Sequence, residues 1–403
     1  MKKTLHDLPR EALVGATVAV RVDFNVPLAE GRIADATRIE QSVPTIRRLT
    51  SAGAKVVLLS HLGRPGGQAR AGLTLEPAAE CLEEMLGASV RFCPHAEGRR
   101  VSQAAREMEP GRVLLLENTR FLVGEIANDP HLAAEWATWA NHYVLDAFGT
   151  AHRAHASTDG LPKAVRAKGG VAVAGSLVVR ELKVFGGALE QPRRPFVAVI
   201  GGAKISDKID VIEALLPRVN ALLVGGAMAN TFFCAMGMET GASLAEQRKC
   251  GIAARLLEVA GPRIVLPVDC TVARALTPGA EARAVARTEI TPGEVIGDIG
   301  PVTVRLFGRR IEDAATVVWN GPMGVFEVAE FADGTRGVAL AAAAAADKGA
   351  TVIAGGGDSA AAAREVGVAT RITHVSTGGG ASLDLLAGKK LPGVEALSDH
   401  CSA

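Results

Sequence analysis

Short runs of β-branched and aliphatic residues recur along the chain, separated by amphipathic or alanine-rich stretches, and this alternation constrains the fold more than any other feature. Strands buried on both faces read as near-continuous apolar runs, and the helices between them serve as crossovers, so the pattern predicts an α/β protein built on parallel sheets. Expected strands in the first part are Thr17–Val22, Lys55–Ser60, Arg112–Leu116 and Tyr143–Asp146. In the second part they are Phe196–Ile200, Ala221–Val224, Arg263–Pro267, Thr316–Trp319, Thr351–Ala354 and Thr373–Ser376. Between the sets, Leu177–Leu189 reads as a helix ended by Glu190-Gln191-Pro192-Arg193-Arg194-Pro195, a charged, proline-bearing stretch typical of a boundary. The expectation is two doubly wound, Rossmann-like domains, 1–176 and 191–390, joined by a helix over 177–190. A length of 403 residues suits two domains at roughly 100–200 residues each. Ala339–Ala346 is the one low-complexity tract, and it reads as a high-propensity helix.

Composition narrows the function classes. Lys plus Arg number 44 against 43 Asp plus Glu, which argues against a nucleic-acid partner or a polybasic membrane anchor and makes any basic site local. Aromatics are 4%, with one Tyr, so stacking platforms for single-stranded nucleic acid are scarce. The six cysteines (Cys81, Cys93, Cys234, Cys250, Cys270, Cys401) form no CxxC pair, which disfavours a zinc ribbon or a disulfide framework. The N-terminus lacks the apolar core of a leader, and no run of about 18 apolar residues occurs. A reduced, cytoplasmic protein with no membrane partner is expected.

In doubly wound sheets ligands bind at the carboxyl ends of the strands, so the residues just after each strand carry the functional signal. The first half reads Asp23-Phe24-Asn25, His61-Leu62-Gly63-Arg64-Pro65, Glu117-Asn118-Thr119-Arg120-Phe121 and Asp146 to His155. The second reads Gly201-Gly202-Ala203-Lys204, Gly225-Gly226-Ala227, Asn320-Gly321-Pro322-Met323-Gly324, Gly355-Gly356-Gly357-Asp358 and Gly378-Gly379-Gly380. One half presents Arg and His, the other bare backbone. Arg38, Arg64, Arg120 and Arg153, with His61, His152 and His155, are expected to converge on one crevice. Arg grips carboxylate and phosphate bidentately, so such a cluster in a neutral protein implies a small, multiply anionic ligand. The histidines are alternatively metal ligands, although no acidic or sulfur ligand lies at matching spacing.

Glycine turns at the second set of strand ends let backbone N–H groups and helix N-termini approach phosphates, which suggests a nucleotide. Gly357-Asp358-Ser359 adds a carboxylate suited to Mg²⁺ shared with phosphate oxygens. There is no GxxxxGK[ST] or GxGxxG, so the nucleotide reading rests on the ensemble of turns. Lys204 and Lys208 flank Ser206, the expected N-cap of a helix whose apolar face is Ile209, Ile212, Leu215, Leu216 and Val219. Glu327, following Gly321 to Phe326, reads equally as an acceptor for a ribose hydroxyl or as a surface carboxylate.

The stretches RVDFNVP (Arg21–Pro27), SHLGRP (Ser60–Pro65), LLLENTRF (Leu114–Phe121), DAFGTAHRAHAST (Asp146–Thr158), IGGAKISDKI (Ile200–Ile209), WNGPMGVFE (Trp319–Glu327), AGGGDS (Ala354–Ser359) and STGGGASL (Ser376–Leu383) closely resemble those of phosphoglycerate kinases, in the same order over the whole length. The resemblance implies a monomeric two-lobed enzyme with its active site in the cleft between the lobes, moving a phosphoryl group between 1,3-bisphosphoglycerate and ADP to give 3-phosphoglycerate and Mg-ATP. It implies triose binding by Asp23, Phe24, Asn25, Arg38, His61, Leu62, Gly63, Arg64, Arg120 and Arg153. For the nucleotide it implies Gly201, Gly202, Ala203, Lys204, Lys208, Gly225, Gly226, Asn320, Pro322, Glu327, Gly356, Gly357, Asp358 and Ser359, with Asp358 the Mg²⁺ contact. Arg38, Lys204, Lys208, Gly357 and Gly380 take the catalytic positions, hinges are expected near Leu177–Leu189 and Thr377–Leu383, and residues 391–403 should return to the first lobe.

Three positions depart from the family pattern: Val302 where Lys is frequent, Asp159 where an apolar residue is expected, and Asn230 where an aromatic is common. None carries an assigned role. Two rivals stay open on the sequence, a non-catalytic two-lobed anion-binding protein and a dehydrogenase, the latter disfavoured by the missing dinucleotide fingerprint.

Overall fold

The computed structural model describes residues 2–400. The chain divides into two compact units, one comprising the residues up to Lys183 together with those from Lys390 onward, the other Val184–Lys389. The division falls inside the helix Ser176–Glu190.

Unit 1 is built on six parallel strands: β1 (Thr17–Val22), β2 (Lys55–Leu59), β3 (Val90–Cys93), β4 (Val113–Leu116), β5 (His142–Asp146) and β6 (Ala172–Ala174). Their order across the sheet is β3-β4-β2-β1-β5-β6. Thr17-Val-Ala-Val-Arg-Val22 is buried at every position, as a central strand covered on both faces must be. The helix Thr37–Ser51 buries Ile39, Ile46 and Leu49 against this sheet, and Glu76–Leu86 adds Ala78, Ala79 and Leu82. The described part of the C-terminal tail belongs to this unit: Ser398 N donates to Ala172 O at 2.8 Å and Gly393 N to Ala151 O at 2.9 Å. Cys401 and the other residues after His400 lie outside the described residues.

Unit 2 repeats the design with β7 (Phe196–Ile200), β8 (Ala221–Val224), β9 (Ile264–Val265), β13 (Thr316–Asn320), β14 (Thr351–Gly355) and β15 (His374–Ser376), ordered β9-β8-β7-β13-β14-β15 and parallel throughout. Between β9 and β13 the chain makes a separate antiparallel sheet of β10 (Asp269–Ala273), β11 (Arg283–Ala286) and β12 (Val295–Ile299). The alanine tract lies in the helix Asp333–Asp347, where small side chains let it pack closely on the sheet; Ala339, Ala342, Ala343 and Ala345 are fully buried.

In both sheets the chain first winds to one side and then to the other. The switch falls between β1 and β5 in unit 1 and between β7 and β13 in unit 2. Such points open a crevice at the carboxyl ends of the two strands, the standard ligand position of this architecture. The strands ending there lead into Asp23 and Ala147 in one unit and Gly201 and Gly321 in the other.

Two local expectations are corrected. Ser206 is no helix N-cap: Ile205–Asp207 forms a 3₁₀ turn held by buried Ile205, and the helix Ile209–Leu215 starts after Lys208, with Val211 rather than Ile209 on its buried face. The strand expected over Arg263–Pro267 shrinks to Ile264–Val265, because a 3₁₀ turn at Gly261–Arg263 occupies its start.

Candidate functional site

In unit 1 the residues following β1 and β2 interlock. Arg38 Nη1, from the first turn of Thr37–Ser51, donates to Asp23 Oδ2 at 3.0 Å and to Asn25 O at 3.2 Å. Asn25 Oδ1 accepts from Gly63 N at 2.8 Å, so the two strand-end loops are tied together. Phe24 and Leu62 are buried, and their amides are spent on Ser60 Oγ and Asn118 Oδ1. The side chains of these two residues therefore pack inside the loops, whose polar side chains stand at the strand ends.

The electrostatics of this corner are dominated by cations. Arg120 Nη1 donates to Gly63 O at 2.7 Å, while its buried Nε has no partner. Burial and the neighbouring Arg153 and Arg21 push the Arg120 guanidinium down to about 10, so it remains charged at neutral pH. His61 is held well below its ordinary range by burial and by Arg21, Arg120, Arg38 and Arg153. His155 is pushed down to about 4 by burial and largely the same arginines. Arg21 Nη2 lies 3.1 Å from His61 Nδ1; since guanidinium only donates, Nδ1 accepts and the ring proton sits on Nε2. Arg64 is exposed at the same strand end.

Sequence reasoning passed over two parts of this arrangement. Arg21 lies inside β1, fully buried, with Nη1 donating to Val22 O and Leu59 O. A charged residue inside an apolar strand was the available signal. Glu125, also fully buried, accepts from Thr119 Oγ1, Ser157 N and Ser157 Oγ, bracing the turn that carries Arg120 against the segment after Arg153. No local pattern marks that residue, because its partners lie 6 and 32 positions away.

In unit 2 the switch-point loops pack backbone to backbone. A Cβ on Gly201 would lie 2.0 Å from Pro322 O, so no larger residue fits there. Gly356 adopts φ +100°, a left-handed conformation that sets the start of the helix Gly357–Glu365. That helix and Gly379–Leu386 begin side by side, a Cβ on Gly379 lying 3.4 Å from Gly356 Cα. Their first-turn N–H groups face a hollow of about 260 Å³ lined by Gly201, Gly202, Lys208, Asn320, Gly357 and Asp358. Lys208 Nζ donates to Asn320 Oδ1, and Asn320 Nδ2 donates to Gly355 O at 2.8 Å. Burial pushes the Lys208 ammonium down to about 8, with Asp358 and Asp207 opposing. Ser359 is fully buried, its Oγ accepting from Gly321 N.

An apolar cavity of about 330 Å³ adjoins this hollow and shares Gly202, Ala203, Pro322 and Asp358 with it. Phe233, Leu244, Met323 and Val325 line it, with Gly226 and the exposed Glu327. A polar hollow beside an apolar cavity matches a ligand with a flat apolar head and an anionic tail. Gly225 lies behind the wall, its Cβ direction 2.4 Å from Met323 Sδ. Lys204 is exposed and lines neither space, and Gly380 falls in the first turn of Gly379–Leu386. The departures from the family pattern find local partners. Asp159 accepts from Asn128 Nδ2 and Lys163 Nζ, Asn230 Nδ2 donates to Leu244 O in the cavity wall, and Val302 is an exposed side chain whose amide donates to Asp269 Oδ2.

Two doubly wound units, one with cationic strand ends and one with glycine turns beside an apolar cavity, define the class of α/β proteins that take ligands at their strand ends. Comparison with known proteins narrows it. The phosphoglycerate kinase family model matches residues 7–389. Phosphoglycerate kinases of Chloroflexus aggregans and Rubrobacter xylanophilus are each 51% identical to this chain over 99% of both sequences. The solved structure of phosphoglycerate kinase from Coxiella burnetii superposes with a TM-score of 0.85 at 38% identity, covering 98% of both chains, and that from Pyrococcus horikoshii with the same score at 32%. The chain belongs to the phosphoglycerate kinase family. It is an enzyme, a phosphotransferase, and neither the anion-binding rival nor the dehydrogenase is favoured.

Proposed function

We propose that the two strand-end sites divide the family's reaction between them: the cationic site of unit 1 holds 3-phosphoglycerate or 1,3-bisphosphoglycerate, and the hollow and cavity of unit 2 hold ADP or ATP. The observation that carries this division is Arg120. Burial and the like charges of Arg153 and Arg21 outweigh the nearby carboxylates of Glu125 and Asp23, and with a buried Nε lacking a partner its guanidinium is left under-compensated, as a site that receives a multiply anionic ligand would be. In unit 2 the apolar cavity suits a nucleobase and the paired helix starts suit its phosphates.

In the ATP-consuming direction the nucleophile is a substrate carboxylate, ionised at neutral pH, so no general base is needed. The difficulty is charge, since the transferring phosphoryl lies between two anions, and the protein's task is positioning and electrostatic stabilisation. Arg38, held toward the site by Asp23, is assigned to the equatorial oxygens, and Lys208 with Lys204 to the nucleotide side. The N–H groups of Gly357 and Gly380 are assigned to the phosphate oxygens. Asp358 fits Mg²⁺: it is one exposed carboxylate in the first turn of a helix facing the polar hollow, the donor set of a metal shared with substrate phosphates. When bound, the metal neutralises charge on the nucleotide's phosphates.

Transfer requires the two ligands to meet in line, so the proposal needs the units to bring them together in the ternary complex, with flexing near 177–189 and 377–383. Identical small-angle scattering from free and doubly liganded protein would count against it. No helix among the described residues is long and apolar enough to cross a membrane, and the proposal has the enzyme working as a cytoplasmic monomer. The decisive experiment is Mg²⁺- and ATP-dependent phosphorylation of 3-phosphoglycerate, coupled to a dehydrogenase that consumes the acyl phosphate. Turnover supports the reading, and a folded protein that binds 3-phosphoglycerate without turnover sinks it.

A further inference from the structure

Two thiols of unit 2 lie in contact outside the residues assigned to the reaction. Cys250 Sγ donates to Cys234 Sγ at 2.7 Å, and both are free, half-buried cysteines. Cys234 sits near the end of the helix Met228–Ala235, and Cys250 opens the helix Cys250–Ala260. A disulfide needs a sulfur separation of about 2.05 Å, so closing this pair moves the sulfurs by less than about 1 Å. Of the other three described cysteines, Cys93 and Cys270 are buried, and burial together with Glu84 and Glu40 pushes the half-buried Cys81 thiol up.

The chain between the two sulfurs forms part of the apolar cavity. Leu244 lines it, and Leu244 O accepts from Asn230 Nδ2 at 3.0 Å. Glu246 N donates to Thr231 Oγ1 at 3.0 Å, and Glu246 Oε2 accepts from Ser206 N at 2.9 Å, on the turn between Lys204 and Lys208. Gln247 Oε1 accepts from Cys234 Sγ itself at 3.0 Å. A covalent closure at Cys234–Cys250 therefore acts on a segment bonded both to the cavity wall and to the lysine-bearing turn.

We propose that Cys234 and Cys250 form a redox modification site, oxidised by a hydroperoxide to an intramolecular disulfide that staples this segment of the cavity wall. Cys250 Sγ donates to Cys234 Sγ, and burial and the neighbouring thiol push the Cys250 thiol up, so Cys250 holds its proton in this contact and Cys234 is assigned as the attacking sulfur. The Cys234 thiolate attacks the peroxide; an S–O bond forms, the O–O bond breaks, and hydroxide leaves. The Cys250 sulfur, giving up its proton, then attacks the Cys234 sulfenic acid; the S–S bond forms, the S–O bond breaks and a second hydroxide leaves. The sum is two thiols and hydrogen peroxide giving one disulfide and two waters, and a dithiol reductant reverses it. The staple removes the freedom with which the wall admits a nucleobase, so oxidation raises the KM for ADP while that for the triose substrate holds; this consequence rests on the nucleotide reading of the cavity.

The test treats the full-length reduced protein with hydrogen peroxide. Expected are the loss of two of its six thiols, a peptide cross-linked between Cys234 and Cys250 that dithiothreitol releases, and a several-fold higher KM for ADP in the oxidised form. Cys250→Ser should trap a sulfenic acid on Cys234, and Cys234→Ser should give no cross-link. Oxidation of other thiols without the Cys234–Cys250 peptide overturns the proposal, as does a full cross-link that leaves the KM for ADP unchanged. A reduced protein without kinase turnover would instead sink the functional reading, with the peptide map still deciding the disulfide.

Discussion

Arg38→Ala separates two quantities that meet in one side chain, a structural ion pair and the proposed role at the transferring group. Arg38 is partly exposed and bonds Asp23 Oδ2 and Asn25 O, while Asp23 is nearly buried. Truncation removes a charge-assisted bond and leaves the carboxylate with Asn25 N at 3.3 Å and a His61 ring that burial and surrounding arginines keep neutral. A hydrogen bond to a charged group contributes about 1.5–3 kcal/mol, so the stability loss should stay within that range. Catalysis should lose far more. A positioned arginine contributes roughly 10³–10⁵ in phosphoryl transfer, or about 4–7 kcal/mol of barrier at about 1.4 kcal/mol per decade. The assay is the coupled reaction with saturating ATP and 3-phosphoglycerate, run beside urea unfolding of the same preparations. The expected result is turnover lower by three or more decades, unfolding shifted by no more than about 3 kcal/mol, and nucleotide affinity retained. Arg38→Lys should recover little, because an ammonium cannot present the planar fork. Turnover within tenfold of wild type would refute the assignment of Arg38 to the transferring group.

Gly201→Ala drives a Cβ to within 2.0 Å of Pro322 O, and since the obstacle is backbone the loops must part; nucleotide binding measured by calorimetry should weaken more than tenfold (about 1.4 kcal/mol) while 3-phosphoglycerate binding holds. Lys208, pushed down to about 8, is charged below that pH and neutral above it, so ADP binding to the free enzyme should weaken as pH rises through 8, and Lys208→Arg should remove that inflection. Asp298 is buried and pushed up to about 7, above the unfolded value of 3.8; its neutral form favours folding, so its contribution is full below pH 3.8 and lost as pH rises to about 7. Asp298→Asn should flatten that part of the stability-against-pH curve measured by urea unfolding, and an unchanged slope would count against the burial argument.

What the sequence displayed depended on how far apart the cooperating residues lie. The central strands were legible to within a residue because burial on both faces leaves one kind of side chain acceptable, and β1 and β7 match their expected limits. The two edge strands of the first sheet were not. Val90–Cys93 is four residues long with the charged, exposed Arg91 inside it, and Ala172–Ala174 is three residues long with two alanines, so neither stands out from a loop. The antiparallel sheet of β10, β11 and β12 escaped for a related reason: Asp269, Arg283 and Asp298 interrupt its apolar runs.

The same distance rule divides the candidate site. Strand-end residues were readable because a parallel sheet brings successive strand ends to one edge, so Asp23, His61 and Arg120 could be grouped without knowing any contact. The apolar cavity was not readable, since Asn230, Phe233, Leu244 and Met323 come from segments whose meeting is a matter of packing. Arg21 lies between these cases. Within Thr17–Val22 it is the one charge in an otherwise apolar, fully buried strand, and an isolated buried guanidinium is costly enough that a chain keeps it only where its donors are used. Its Nη1 and Nη2 groups, though not its Nε, reach Val22 O, Leu59 O and His61 Nδ1, joining the ends of β1 and β2 and fixing the tautomer of a histidine in the cationic site. An anomaly against the binary pattern was thus the most informative signal the strand carried, and it pointed to the side of the sheet on which the ligand is proposed to sit.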